Sequence, residues 1–179
     1  MRIELGKITE YQDKQCELFS NYSVSSSLDE YEKRNQFNKD KIINDIYNGK
    51  KAEFLVYNLL ISRKKELNSP DLNIYEKYNK SYDADLVLNS YDAESVLKAL
   101  NIHVKSHNVN GIFPISWVFQ KNDPLLTEQK DNNFLALVVM NEEINYMYMK
   151  KISEVDFKPP LKESLRMTKV CVYEADLKD

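Results

Sequence analysis

The chain has 179 residues, 42% of them hydrophobic and 30% charged, with a formal net charge of −3. That length and apolar content fit one globular domain with a core of useful size, and the acidic balance excludes a uniformly basic, histone-like binder. It does not exclude nucleic acid, because local fields outweigh the overall sum.

Cys16 and Cys171 lie near opposite ends, with no CxxC and no paired histidines that would suggest zinc. A reduced, intracellular chain is the simplest inference, a disulfide tying the two ends the alternative. Residues 1–5 carry no apolar signal region, and the longest apolar run, residues 134–140, is far too short to span a bilayer. The expectation is a cytoplasmic protein without a membrane segment.

In chain order, Ile8, Tyr11, Gln12, Cys16 and Phe19 recur at nearly helical spacing, predicting a helix over residues 7–19. The serine cluster at 23–27 reads as its end, with Ser27 an N-cap and Glu30 completing a capping box for the next helix. Residues 28–63 are helical in character, with Ile42, Ile46, Ala52, Val56, Leu59 and Leu60 along one side. Gly49 in their middle predicts a helix break or the close approach of another backbone. Glu53 shares the apolar side with Ile46 and Leu60. It is either turned toward a site or a boundary residue paired with lysine. The basic residues of this third of the chain, Lys50 and Lys51 among them, form either a solvated surface or a phosphate-tracking face.

Asn68-Ser69-Pro70-Asp71 is a turn signal, and residues 72–78 alternate like a strand. Asp83 follows, as a turn residue or an extra metal ligand. Two strand-like pieces come next, residues 84–88 and 100–105. In the second, Leu100, Ile102 and Val104 alternate with Asn101, His103 and Lys105, so one face is apolar and the other chemical. If the pieces pair, Asp85 comes to lie beside His103 and Lys105 at one end of a sheet. Residues 92–99 read as short helix or strand, with strand preferred for their second half. A turn at 108–111 precedes a strand over 112–120, then a helix-capable insert over 124–130. Residues 134–140 are apolar on both faces and mark an interior strand, paired in a hairpin with 144–149. A turn or short helix at 153–156 and a last strand at 170–173 complete the chain. Helices first and strands after predict an α/β (α+β) fold with a central mixed β-sheet flanked by helices.

The Asp opening one strand, the spacer, and Val104-Lys105-Ser106 in the next resemble the PD-(D/E)XK nuclease superfamily, whose pattern is Asp, then acid-x-Lys. Gly49-Lys50-Lys51-Ala52-Glu53 with Val56, Leu59 and Leu60 resembles the helix that precedes that core. His103 stands where the family usually has Glu, Asp or Gln. The resemblance implies a restriction-endonuclease-like fold, similar to the Holliday-junction-resolvase core: residues 1–39 a helical extension, 40–150 the core, and 151–179 a C-terminal strand and tail. It implies a Mg²⁺- or Mn²⁺-dependent endonuclease hydrolysing DNA. Asp85, His103 and the Val104 carbonyl would hold the metal, and Lys105 would position or activate the water. Glu53 would act directly or through water, and Lys50, Lys51 and His107 would contact substrate. An imidazole at 103 suits Mn²⁺ better than Mg²⁺, or carries a proton. Cutting both strands would call for a homodimer. The rival reading is a catalytically inactive nuclease-fold protein that binds nucleic acid or a protein partner. A third is an interaction domain in which the Asp and Lys match is accidental.

Overall fold

Apolar periodicity sorts the chain into helices that cover a sheet on one side and a small second sheet that covers the other. The computed structural model describes residues 1–32, 36–63, 65–75, 84–91, 97–109, 114–127 and 131–178. These form β1 (Ile3–Glu4), α1 (Glu10–Glu32), α2 (Lys39–Ser62), β2 (Glu66–Leu67), β3 (Leu86–Tyr91) and β4 (Leu97–Asn108). There follow β5 (Ser116–Gln120), α3 (Pro124–Thr127), β6 (Asn133–Met140), β7 (Tyr146–Lys151) and β8 (Lys169–Tyr173). Six strands make one sheet in the order β1-β7-β6-β4-β3-β2, while β5 and β8 pair separately. β4 and β6 run parallel and the other neighbours antiparallel. The fold is thus α+β with a mixed sheet. Among the described residues no helix is long and apolar enough to cross a membrane.

The helical third departs from its sequence reading in three places. The first helix starts after Thr9, whose hydroxyl accepts from the Gln12 N–H (3.2 Å) while the Gln12 carboxamide accepts from the Thr9 N–H (2.9 Å). That reciprocal capping box is the real one. Ser27 sits inside α1, so the box expected at Ser27 and Glu30 is not a helix start. The serines do not break the helix because Ser20, Ser25 and Ser26 turn their hydroxyls back onto the carbonyls three residues earlier. α2 begins instead at Asn38, whose side chain caps the Lys41 N–H at 2.9 Å. It then runs unbroken through Gly49, where a β-carbon would meet nothing within 4 Å. Neither the expected break nor a close backbone approach is found there.

Alternation governs the sheet. On β6, Ala136, Val138 and Met140 pack with Ala52, Leu55, Val56 and Leu60 of α2, whereas Leu135, Leu137 and Val139 pack with Trp117, Phe119 and Val172 of the small sheet. Both faces of β6 are covered, as an interior strand requires. The expected hairpin with the following strand is present, as β7. β1 lies at the sheet's edge on β7, so residues 1–39 supply a strand to the sheet as well as a helix. Residues 72–75 are not strand; the short β2 takes that place beside β3, and residues 76–78 lie outside those described. β4 begins at Leu97, in keeping with strand for the second half of the ambiguous segment; residues 92–96 lie outside those described. Both cysteines are free and buried.

Candidate functional site

β3 and β4 pair as anticipated, with Leu86 opposite Ile102, which sets Asp85 at the mouth of the hairpin next to His103. β3 ends its pairing there, and the Asp85 carboxylate takes over by accepting from the Val104 N–H at 2.7 Å. In an extended strand the N–H and C=O of one residue point the same way. The Val104 carbonyl therefore faces the edge that Asp85 occupies.

Glu53 comes from α2 on the other side of the strand mouth. It is 7% exposed, and Lys50 one turn earlier donates to both of its oxygens, at 2.7 and 3.0 Å. Burial, followed by the negative charge of Asp85, nevertheless pushes its carboxyl up to about 8 against the pull of Lys50. Asp71 adds a weaker charge of the same sign. Burial opposes ionisation of Asp71, but hydrogen bonds from the Tyr75 hydroxyl and the Asn73 N–H, with Lys50 nearby, hold it below the usual carboxylate range. Of the two readings of Glu53, the pairing with lysine is present, and the charge of Asp85 reaches it as well.

His103, Lys105 and His107 lie on the opposite face of β4, toward the small sheet. Burial, with the charge of Lys105, depresses the His103 imidazole, while Asp85, Asp123 and a hydrogen bond to Asn133 pull the other way. The Lys105 ammonium stands 5.8 Å from the centre of the Phe119 ring. Nδ1 of His107 donates to the Ser116 carbonyl at 2.8 Å, and its ring meets Trp117 edge to face. His107 thus joins β4 to β5. Among the lysines expected to contact substrate, Lys50 is held by Glu53, and Lys51 lies 4.0 Å from Asp13 and 3.5 Å from the Tyr47 hydroxyl.

The sheet edge thus brings Asp85 onto the Val104 backbone with Glu53 near enough to feel its charge, while His103 lies on the far face and the Lys105 ammonium stands over Phe119. Among the described residues no three His, Cys, Asp or Glu side chains stand close enough to hold one ion; Asp83 lies outside those residues. The donors on this edge are two carboxylates and a carbonyl, hard oxygens that suit Mg²⁺ or Mn²⁺ completed by water. Sequence reading missed Asp71, which it took as a turn residue, and the pair of Asp123 and Asn133 around His103. Contacts across 18 or more residues leave no local spacing to find them by. Comparison with protein-family models, curated proteins and solved structures finds no match. What the fold and site define is an α+β protein with a carboxylate bonded at a strand mouth and a buried acid on the helix beside it.

Proposed function

We propose that the protein is a metal-dependent nuclease of restriction-endonuclease-like fold that hydrolyses DNA phosphodiester bonds. The observation that carries this reading is the Asp85 carboxylate held by the Val104 N–H at 2.7 Å at the mouth of β3 and β4, with the buried acid Glu53 of α2 near enough to feel its charge. A cation beside a buried acid and a neighbouring carboxylate offsets the repulsion between them.

In this reading Asp85, Glu53 and the Val104 carbonyl hold Mg²⁺ or Mn²⁺. The ion supplies Lewis acidity and a water of lowered pKa. Asp85 keeps its orientation through the Val104 N–H. Lys105, steadied against Phe119, reaches the edge from the opposite face to orient the attacking water and neutralise charge on the phosphoryl oxygens. Lys50 holds the Glu53 carboxyl in place until the cation arrives. Cutting both strands of a duplex would require a second copy of the chain.

A second reading, a nuclease-fold protein that binds nucleic acid without cutting, draws support from His103. Its depressed imidazole, bonded to Asn133 on the small-sheet side, offers no carboxylate where one is usual. Cleavage of supercoiled plasmid, branched and single-stranded DNA by the wild type and Lys105→Ala, with Mg²⁺ and with Mn²⁺, separates the two. The nuclease reading expects cutting that falls by about 100-fold or more in the variant, with the fold intact by circular dichroism. Binding in Ca²⁺ without cutting in either metal would select the second reading.

A further inference from the structure

Beyond the strand mouth, a cleft of about 510 Å³ opens between the start of α1, the N-terminal half of α2 and the ends of the parallel strands β4 and β6. Ile8, Leu55 and Met140 give it an apolar part, and five carboxamides line it: Asn44, Asn48, Asn108, Asn141 and Asn145. Asn48 is the telling one. It is 9% exposed on the inner side of α2 and lines the cleft, which leaves its carboxamide in reach of solvent and of a ligand there. Asn44, exposed one turn away, and the half-buried Asn108 add further carboxamides to the lining. Asn141 and Asn145 use their carbonyl oxygens on backbone N–H groups, which leaves their amide donors free.

The charges do not favour an anion: Lys7 and Lys51 are opposed by Glu10, Asp13 and Glu142. The cleft therefore suits a neutral group that both donates and accepts and has an apolar face to set against Ile8, Leu55 and Met140. A nucleobase has that chemistry, and a carboxamide matches the paired donor and acceptor on its edge. From Val104 to Asn108 along β4 is about 13 Å at ~3.3 Å per residue, so a base seated here would belong to a nucleotide near the one at the strand mouth. We propose that this cleft binds an unpaired nucleobase of the substrate strand, with Asn48 as the reading residue. The inference rests on the nuclease reading for the identity of the strand, though not for the presence of a base site.

The test is fluorescence anisotropy with short single-stranded homopolymers of each base in Ca²⁺, using wild type, Asn48→Leu and the exposed-site variant Asn44→Ala. Nucleosides alone are followed by NMR at the Asn48 side-chain amide. The expected result is preference of the wild type for one base, binding weakened about tenfold or more in Asn48→Leu, a smaller loss in Asn44→Ala, and a flattened preference in both. A nucleoside shifting the Asn48 amide supports the site even if no oligonucleotide binds, and that pattern would count against the nuclease reading alone. Unchanged binding and preference in both folded variants would overturn the base site while leaving the nuclease reading in place. If neither homopolymers nor nucleosides bind, the cleft holds water only and the inference fails, the cleavage assay deciding the nuclease reading separately.

Discussion

On the α2 side of β4, Ile102 and Val104 sink into an apolar layer with Leu55, Val56 and Leu86; on the small-sheet side, Asn101, His103, Lys105 and His107 meet Asn133, Phe119, Ser116 and Trp117. The two faces answer to one alternation of residues but to different partners. The first is covered by a helix that contributes a single buried acid, Glu53. The second is covered by a two-stranded sheet that holds polar side chains in place through aromatic rings and carbonyls. Groups on opposite faces of a strand can meet only past its paired end, and Asp85 stands there. The site is an edge site, and its chemistry depends on both layers being in place.

The comparison can be broken hardest from the small-sheet side. Trp117 is 2% exposed, donates to the Val138 carbonyl at 3.1 Å and packs edge to face on His107 and Tyr148. Trp117→Ala should destabilise the protein by about 3–5 kcal/mol, measured by urea unfolding; a loss under about 1 kcal/mol would mean that the small sheet is not part of the core. At the edge itself, Asp85→Asn keeps an oxygen for the Val104 N–H but removes the charge. It should lower Mn²⁺-dependent cleavage by more than about 100-fold, since even supporting groups around a metal are worth ~10–100-fold, with little change in melting temperature.

On the α2 side the effect is a pH dependence. Because the folded-state carboxyl of Glu53 lies at about 8, above its unfolded value near ~4.3, the folded protein binds a proton that the unfolded chain has released. Stability from this group is complete below the unfolded value, declines as pH rises between the two, and is gone above about 8. Glu53→Gln in metal-free buffer should flatten that decline, read from melting temperature across pH; an identical slope in the variant would place the acid in a wetter setting than its burial implies. The smallest effect is expected within α2. Gly49→Ala fills open space in an unbroken helix and should stabilise by about 1 kcal/mol, whereas a loss would revive the helix break.

The strand mouth was legible in the sequence because it is written in short range. Leu100 to Lys105 alternates cleanly, and two apolar pieces separated by a short connection pair as neighbours. The interior strand β6 was equally plain, being apolar on both faces. What was not legible were the helix boundaries and the groups brought in from a distance. Residues 23–27 look like a breaker until the hydroxyls of Ser25 and Ser26 are seen to bond within the helix, and Gly49 looks like one until nothing is found beside it. Thr9 and Gln12 carried the true cap signal, two residues inside the span that the apolar spacing marked as helix. The separation of Lys105 from Glu53 by the sheet follows from alternation, yet it needs the position of α2 over one face, which no local spacing encodes.

The claim at the centre of this account is that Glu53 and Asp85 share one site. It is tested most directly by a carbon-13 NMR titration of the Glu53 carboxyl in metal-free wild type and Asp85→Asn. The account predicts a midpoint near 8 in the wild type and a clearly lower one in the variant, because the charge of Asp85 would be gone. The same midpoint in both proteins would contradict it, leaving Glu53 a buried partner of Lys50 with no link to the strand mouth.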